Sequence, residues 1–240
     1  MAKYKVLSTK KLEPSLVKQA KVDDIQIIEQ AAIKVNPILS KEKWKEIFQI
    51  IESKKEFIVF TSSNAVNAVQ KYLNDYTNPF DIKWKIFSLT GKTKDAVEAS
   101  SLGFVIEKGW YAKELAEKII ASNVSEIVFF CGDKRREVLP KILREAGITV
   151  HEIVVYETIL TPVVLKGAVD AVLFFSPSAV QSFFSVNQLT QDVVCFAVGQ
   201  TTAETIRKFI LNKIVISDHP AQEEVLGSVK NYFQNIKQMP

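Results

Sequence analysis

Two histidines, His151 and His219, and two cysteines, Cys131 and Cys195, are all that 240 residues offer of the side chains that most often hold metals or act as nucleophile and base. They lie far apart in the chain and match no metal-ligand spacing, so a metal site is not expected. Chemistry built on a Ser-His or Cys-His pair is not expected on the same ground. Nor is a disulfide framework: each cysteine ends or sits within an apolar run, which points to buried, reduced thiols. Glycine is sparse, at eight residues, and no Gly-x-Gly-x-x-Gly occurs. Gly91-Lys92-Thr93 looks like the end of a phosphate loop, but Ile86 stands where the earlier glycine is required. No apolar stretch approaches the length of a membrane span. Met1-Ala2-Lys3-Tyr4-Lys5 runs straight into a strand-like segment and lacks the apolar core of a secretory signal. A cytoplasmic protein with no membrane partner is therefore expected. The net charge of +4 suits an acidic ligand. No dense Arg/Lys block of the kind that tracks nucleic-acid phosphates is present, so no nucleic-acid partner is expected.

What is there is a repeat. Phe60-Thr61-Ser62-Ser63-Asn64-Ala65-Val66 returns as Phe174-Phe175-Ser176-Pro177-Ser178-Ala179-Val180, each copy after an apolar run and before a helical pattern. Further along, Thr90-Gly91-Lys92-Thr93 returns as Val198-Gly199-Gln200-Thr201-Thr202. Such self-similarity marks duplicated structural units. With 47% hydrophobic and 24% charged residues the chain has the composition of a globular protein with real cores. Strand-like segments (among them Phe57–Thr61, Ile127–Cys131, Val150–Tyr156, Ala171–Phe175 and Val193–Val198) alternate with helical ones (Lys41–Glu52, Ala65–Leu73, Arg135–Ala146, Ala179–Ser185, Ala203–Leu211). That alternation predicts an α/β fold with parallel sheets flanked by helices on both faces.

Two extended, proline-bearing stretches divide the pattern, at Ile33–Ser40 and Glu152–Pro162. Crossing between domains at both gives halves of nearly equal size, each with one copy of each repeated turn. The expected organisation is a discontinuous α/β domain, 1–35 plus 163–240, and an inserted α/β domain, 41–155. Residues 36–40 and 156–162 form the linker strands, and the two crossings could pair as a two-stranded β-ladder hinge.

The hydroxyl-rich turns, Thr61, Ser62, Ser63 and Asn64 in one half and Ser176, Pro177, Ser178 and Ala179 in the other, fit helix capping. They also fit anion binding, because helix starts leave N–H groups pointing outward. They fall at the C-terminal ends of strands, where open parallel sheets bind ligands. In Gly199, Gln200, Thr201 and Thr202 the glycine permits close backbone approach, and Thr201 to Glu204 has capping-box spacing. Gly132, Lys134 and Arg135, in Cys131-Gly132-Asp133-Lys134-Arg135-Arg136-Glu137, lie between a strand and the helix expected from Arg135. Cations are unfavourable at a helix start, so they suggest carboxylate gripping as well as the bland reading of solvated surface. Tyr156 lies in the second crossing. It reads as half-buried packing or as one of few proton donors in a histidine-poor chain.

Together these residues resemble uroporphyrinogen-III synthase. The likeness rests on Phe60-Thr61-Ser62 with Asn64-Ala65-Val66, Cys131-Gly132 with Arg136-Glu137 and Leu139-Pro140, Val155-Tyr156-Glu157-Thr158, Phe175-Ser176-Pro177-Ser178, and Val198-Gly199-Gln200-Thr201-Thr202-Ala203. The motifs stand in family order across 57–240; the first 30 residues match only loosely. The resemblance implies two α/β domains joined by a two-stranded ladder and a reaction that needs no cofactor. The implied substrate is hydroxymethylbilane, an octacarboxylate, which loses water and closes to uroporphyrinogen III with ring D inverted. It implies that the turns at Thr61–Asn64, Ser176–Ser178 and Gly199–Thr202 grip carboxylates, that Lys134 and Arg135 assist, and that Tyr156 protonates or positions the departing hydroxyl. Transient contact with the upstream bilane-forming enzyme is expected. So is a monomer, because no large apolar surface stripe is left over. A different reading stays open: a non-catalytic, tetrapyrrole- or anion-binding two-lobed α/β module.

Overall fold

The structure, a computed structural model, describes residues 3–38, 40–53, 56–74 and 83–237. Met1, Ala2 and Leu39 lie outside the described residues. So do 54–55, 75–82 and 238–240 within the expected domain ranges, and the side chains of Trp44 and Ile51 in the Lys41–Glu52 helix.

Strands and helices alternate along the chain. In order they are β1 (Tyr4–Ser8), α1 (Pro14–Val22), β2 (Ile25–Glu29), β3 (Ile33–Pro37), α2 (Lys41–Glu52), β4 (Phe57–Phe60), α3 (Ser63–Asn74), β5 (Trp84–Leu89), α4 (Lys92–Glu98) and β6 (Gly103–Gly109). Then follow α5 (Ala112–Ala121), β7 (Glu126–Gly132), α6 (Val138–Glu145), β8 (Thr149–Leu160), β9 (Ala171–Phe174), α7 (Pro177–Phe184), β10 (Val194–Ala197), α8 (Gln200–Ile206), β11 (Ile214–Ile216) and α9 (Gln222–Lys237). The chain forms two compact units, 1–34 with 159–240 and 35–158. The first holds a sheet of order β11-β10-β9-β1-β2, and the second a sheet of order β3-β8-β7-β4-β5-β6.

The strand pairs β1–β2, β1–β9, β9–β10 and β10–β11 are parallel, as are β4–β5, β4–β7, β5–β6 and β7–β8. Between β3 and β8 the direction reverses. Ile38 N–H donates to the Val155 carbonyl at 3.0 Å and Thr161 N–H to the Ala32 carbonyl at 2.9 Å, so numbering climbs on one side as it falls on the other. Both sheets are buried on two faces, as parallel sheets must be. On β4, Ile58 and Phe60 join one apolar cluster and Val59 the opposite one. On β9, Ala171 and Leu173 face one cluster, Val172 and Phe174 the other. This is the two-residue period of a strand.

The sheet orders carry a further regularity. Matching β4 with β9, as the repeat does, makes β5 the counterpart of β10 and β6 of β11; β7 then matches β1, and β8 matches β2. The order β8-β7-β4-β5-β6 thus equals β2-β1-β9-β10-β11: one topology, entered at a different strand. In each unit strand order reverses at one place, between β4 and β7 and between β1 and β9. Ligands of open α/β sheets bind outside the strand C-termini at such switch points.

Of the helices whose boundaries differ from the sequence expectation, two bear on the candidate site. The helix expected from Arg135 starts at Val138, with Glu137 as its N-cap. Residues 133–137 are held in a turn instead: Asp133 N–H donates to the Tyr156 carbonyl at 3.0 Å and Arg135 N–H to the Gly132 carbonyl at 3.2 Å. Lys134 and Arg135 therefore precede the helix, and the conflict between cations and a helix start does not arise. The helix expected at Ala203–Leu211 runs from Gln200 to Ile206 with Gly199 as N-cap. Thr201 is inside its first turn, so Thr201 and Glu204 form no capping box. Beyond Ile206 the chain tightens, Phe209 N–H bonding to the Ile206 carbonyl at 2.9 Å.

Candidate functional site

In the 35–158 unit, α3 begins at Ser63 directly after β4 and the Thr61-Ser62 corner. Ser62 Oγ accepts from Asn64 N–H at 3.2 Å, and the Ser62 carbonyl accepts from Ala65 N–H at 3.1 Å. The Ser63 N–H has no partner among the described residues, as expected of a helix start. Tyr156 reaches this corner from β8: its hydroxyl donates to Ser62 Oγ at 3.2 Å. The ring is half-buried against the apolar cluster that contains Phe60 and Val155. Burial pushes the phenol above its usual range, so Tyr156 is protonated at neutral pH and able to donate.

A β-bulge puts the tyrosine there. Cys131 pairs with Val154, but Gly132 pairs with Tyr156, so Val155 is the extra residue. Without that slip Tyr156 would take the opposite face. With it, the consecutive residues Val155 and Tyr156 both lie against one cluster. The ring then rests on Gly132, where an added Cβ would stand 2.3 Å from Tyr156 Cζ.

Of the neighbouring cations, Lys134 is exposed. Arg135 is engaged: Nη1 bonds Glu137 at 2.8 Å and Nε bonds Glu152 on β8, and Arg144 bonds the same Glu152. Burial pushes the Cys131 thiol up to about 11 and the Cys195 thiol to about 12, which leaves both unreactive at neutral pH.

The second unit carries the matching corner. Ser176 Oγ caps α7 by accepting from Ala179 N–H at 3.1 Å, with Pro177 at the first helical position. Ser178 N–H has no partner among the described residues, and nor do Gln200 N–H and Thr201 N–H at the start of α8. Thr202 is buried, 1% exposed, with its hydroxyl turned inward. Gly199 has open space where a side chain would be. The structure also brings in a segment that sequence reasoning passed over. Thr9, at the end of β1, donates Oγ1–H to the Leu173 carbonyl at 2.7 Å. Lys10 Nζ sits 5.1 Å from the centre of the Phe175 ring. Lys10-Lys11 after β1 parallels Lys134-Arg135 after β7, and that echo was the available signal.

Among the described residues, both sheets of this α/β protein thus present hydroxyls and unpaired amides at the C-terminal ends of their strands. The uroporphyrinogen-III synthase HemD family model matches residues 15–227, and the chain belongs to that family. Its members are cyclising lyases of tetrapyrrole biosynthesis that act on a small-molecule tetrapyrrole. The uroporphyrinogen-III synthetase of Helicobacter pylori is similar in fold, with 15% identity, a TM-score of 0.68, and 95% of this chain and 99% of that one covered. A mutant uroporphyrinogen III synthase of Thermus thermophilus is similar at 13% identity and a TM-score of 0.66, covering 98% of this chain and 100% of that one. The wild-type enzyme of that bacterium gives 16% identity and a TM-score of 0.52, with 98% and 99% covered. Among the described residues no helix is long and apolar enough to cross a membrane.

Proposed function

We propose that this chain converts hydroxymethylbilane to uroporphyrinogen III, chiefly by holding the substrate in a bent pose. Water leaves the ring-A hydroxymethyl group to give an azafulvene. That electrophile attacks ring D at its already substituted carbon, and the spiro intermediate fragments and recloses with ring D inverted. The bilane closes unaided to the wrong isomer, so catalysis is mostly orientation. In the turns at Thr61–Asn64, Ser176–Ser178 and Gly199–Thr202, the main-chain amides of Ser63, Ser178, Gln200 and Thr201 grip carboxylates through charge-assisted hydrogen bonds. Lys134 adds an exposed cation; Arg135, tied to Glu137 and Glu152, shapes the loop beside Gly132. Tyr156 gives its proton to the departing hydroxyl, which leaves as water; the ring-A pyrrole N–H proton lost in forming the azafulvene passes to solvent, from which the phenol is reprotonated, and Ser62 steadies that phenol.

The observation that carries this reading is the Tyr156–Ser62 hydroxyl pair beside the Ser63 amide, which has no partner among the described residues, in a chain of this family. The protein acts as a cytoplasmic monomer that takes the bilane in transient contact with the enzyme that makes it. Incubation with fresh hydroxymethylbilane, then oxidation and chromatography of the porphyrin isomers, tests the activity. Isomer III is expected in excess. Predominance of isomer I, as without enzyme, would overturn the catalytic reading and leave the non-catalytic anion-binding module.

A further inference from the structure

The geometry points to Gly132 and Asp133 as the positioning residues of Tyr156: Gly132 is the seat on which the ring lies, and Asp133 is the clamp that holds its strand segment. This rests on the proposed role of Tyr156 and adds to it a reason why that side chain is held where it is.

Each part has its own geometric basis. The three atoms nearest to a Cβ built on Gly132 are Tyr156 Cζ, Cε2 and Oη, at 2.3, 2.4 and 2.7 Å. Any side chain at 132 must displace the phenol, so the glycine is needed for space. Its backbone carries no positive φ. Asp133 holds the backbone on either side of Glu157. Its N–H donates to the Tyr156 carbonyl at 3.0 Å, and its Oδ1 accepts from Thr158 N–H at 2.8 Å. The bulge at Cys131/Gly132 brings the ring onto this face. Bulges loosen the ladder, since the extra residue is left unpaired. The Asp133 bonds resume pairing at the two residues that flank Glu157, so the bulged strand cannot slip back and carry the phenol off Ser62. Asp133 itself is exposed, and nothing in the apolar core requires it.

The seat is tested by thermal unfolding of Gly132→Ala in two backgrounds. In the wild-type chain the added methyl overpacks the ring and lowers the melting temperature by about 5 °C. In the Tyr156→Ala background the same substitution enters vacated space and leaves the melting temperature unchanged. Equal losses in both backgrounds would overturn the seat.

The clamp is tested by kinetics. Asp133→Ala lowers kcat about fivefold, the factor that one lost hydrogen bond carries, with KM changed by less than about twofold. Asp133→Asn keeps an oxygen that accepts from Thr158 N–H and restores most of the loss. In the Tyr156→Phe background Asp133→Ala costs nothing further, because the hydroxyl it positions is gone. An equal loss in that background, or a loss that Asn fails to restore, would overturn the clamp. Full turnover by Tyr156→Phe alone would instead remove the chemical role of the tyrosine, while the melting comparison would still decide whether Gly132 seats the ring.

Discussion

The two corners built from the repeated motif differ in what secures them. At Phe174–Ala179 the securing is local: Ser176 caps its own helix and Pro177 presets the first helical φ. At Phe60–Ala65 the local bonds from Asn64 and Ala65 N–H to Ser62 are joined by a non-local one, from a tyrosine 94 residues away on another strand. One backbone corner therefore serves two ends. Among the described residues, the first is a capped helix start with an open amide, and the second joins an open amide to a tyrosine hydroxyl. The repeated corner occurs in both units, and a tyrosine hydroxyl reaches Ser62 in only one of them among the described residues.

Substitutions at matched positions sharpen or break that comparison. Phe60 and Phe174 are both fully buried and each stacks on a neighbouring ring, Phe130 at 5.5 Å and Phe184 at 5.7 Å. Replacing either by alanine should cost about 3–5 kcal/mol in urea unfolding. A loss confined to one of them would show that the two corners are not equivalent in packing.

Tyr156→Phe comes next. If holding rather than proton transfer dominates, as proposed, it should reduce kcat by less than about a hundredfold, the lower bound for a lone general acid. A larger loss would make Tyr156 the single indispensable group, and no loss would remove it from the chemistry.

The paired glycines separate conformation from ligand approach. Gly91 has φ +77°, so Gly91→Ala should destabilise by about 1–2 kcal/mol although its Cβ meets nothing. Gly199 is extended at φ 170° and equally uncrowded. Gly199→Ala should change stability by less than about 0.5 kcal/mol yet raise KM for the bilane, if a carboxylate lies against that backbone. An unchanged KM would take Gly199 out of the grip.

The smallest contrast lies in the serines. Ser176→Ala loses a helix cap, worth about 1 kcal/mol. Ser62→Ala should cost no more than that in stability but lower kcat with it, because Tyr156 loses its partner. If Ser176→Ala lowers kcat by as much as Ser62→Ala, the asymmetry between the corners is not real.

Much of this was legible in the chain. The alternation of apolar runs and amphipathic stretches marked the α/β class, and the hydroxyl turns stood out because a motif that recurs after two separate strands is local in sequence. Gly147, expected as a helix C-terminal glycine, has φ +82° just past α6. The helix expected at Arg135 was misplaced because its start is set by hydrogen bonds to β8, which no local pattern reveals. The matching of β1 with β7 was hidden for the same reason: the two units enter one topology at different strands, so their order in sequence does not show it. Thr9 and Lys10 passed unnoticed with it.

Sequence by itself determined which segments become strands and helices, which turns carry open amides, and that a tyrosine stood near a proposed crossing; these depend on residues close together in the chain. Tertiary structure decided that Tyr156 meets Ser62. A single-residue bulge, the empty space at Gly132 and two bonds from Asp133 turn that side chain to the Ser62 face, and each is a contact between strands whose register only the folded sheet defines.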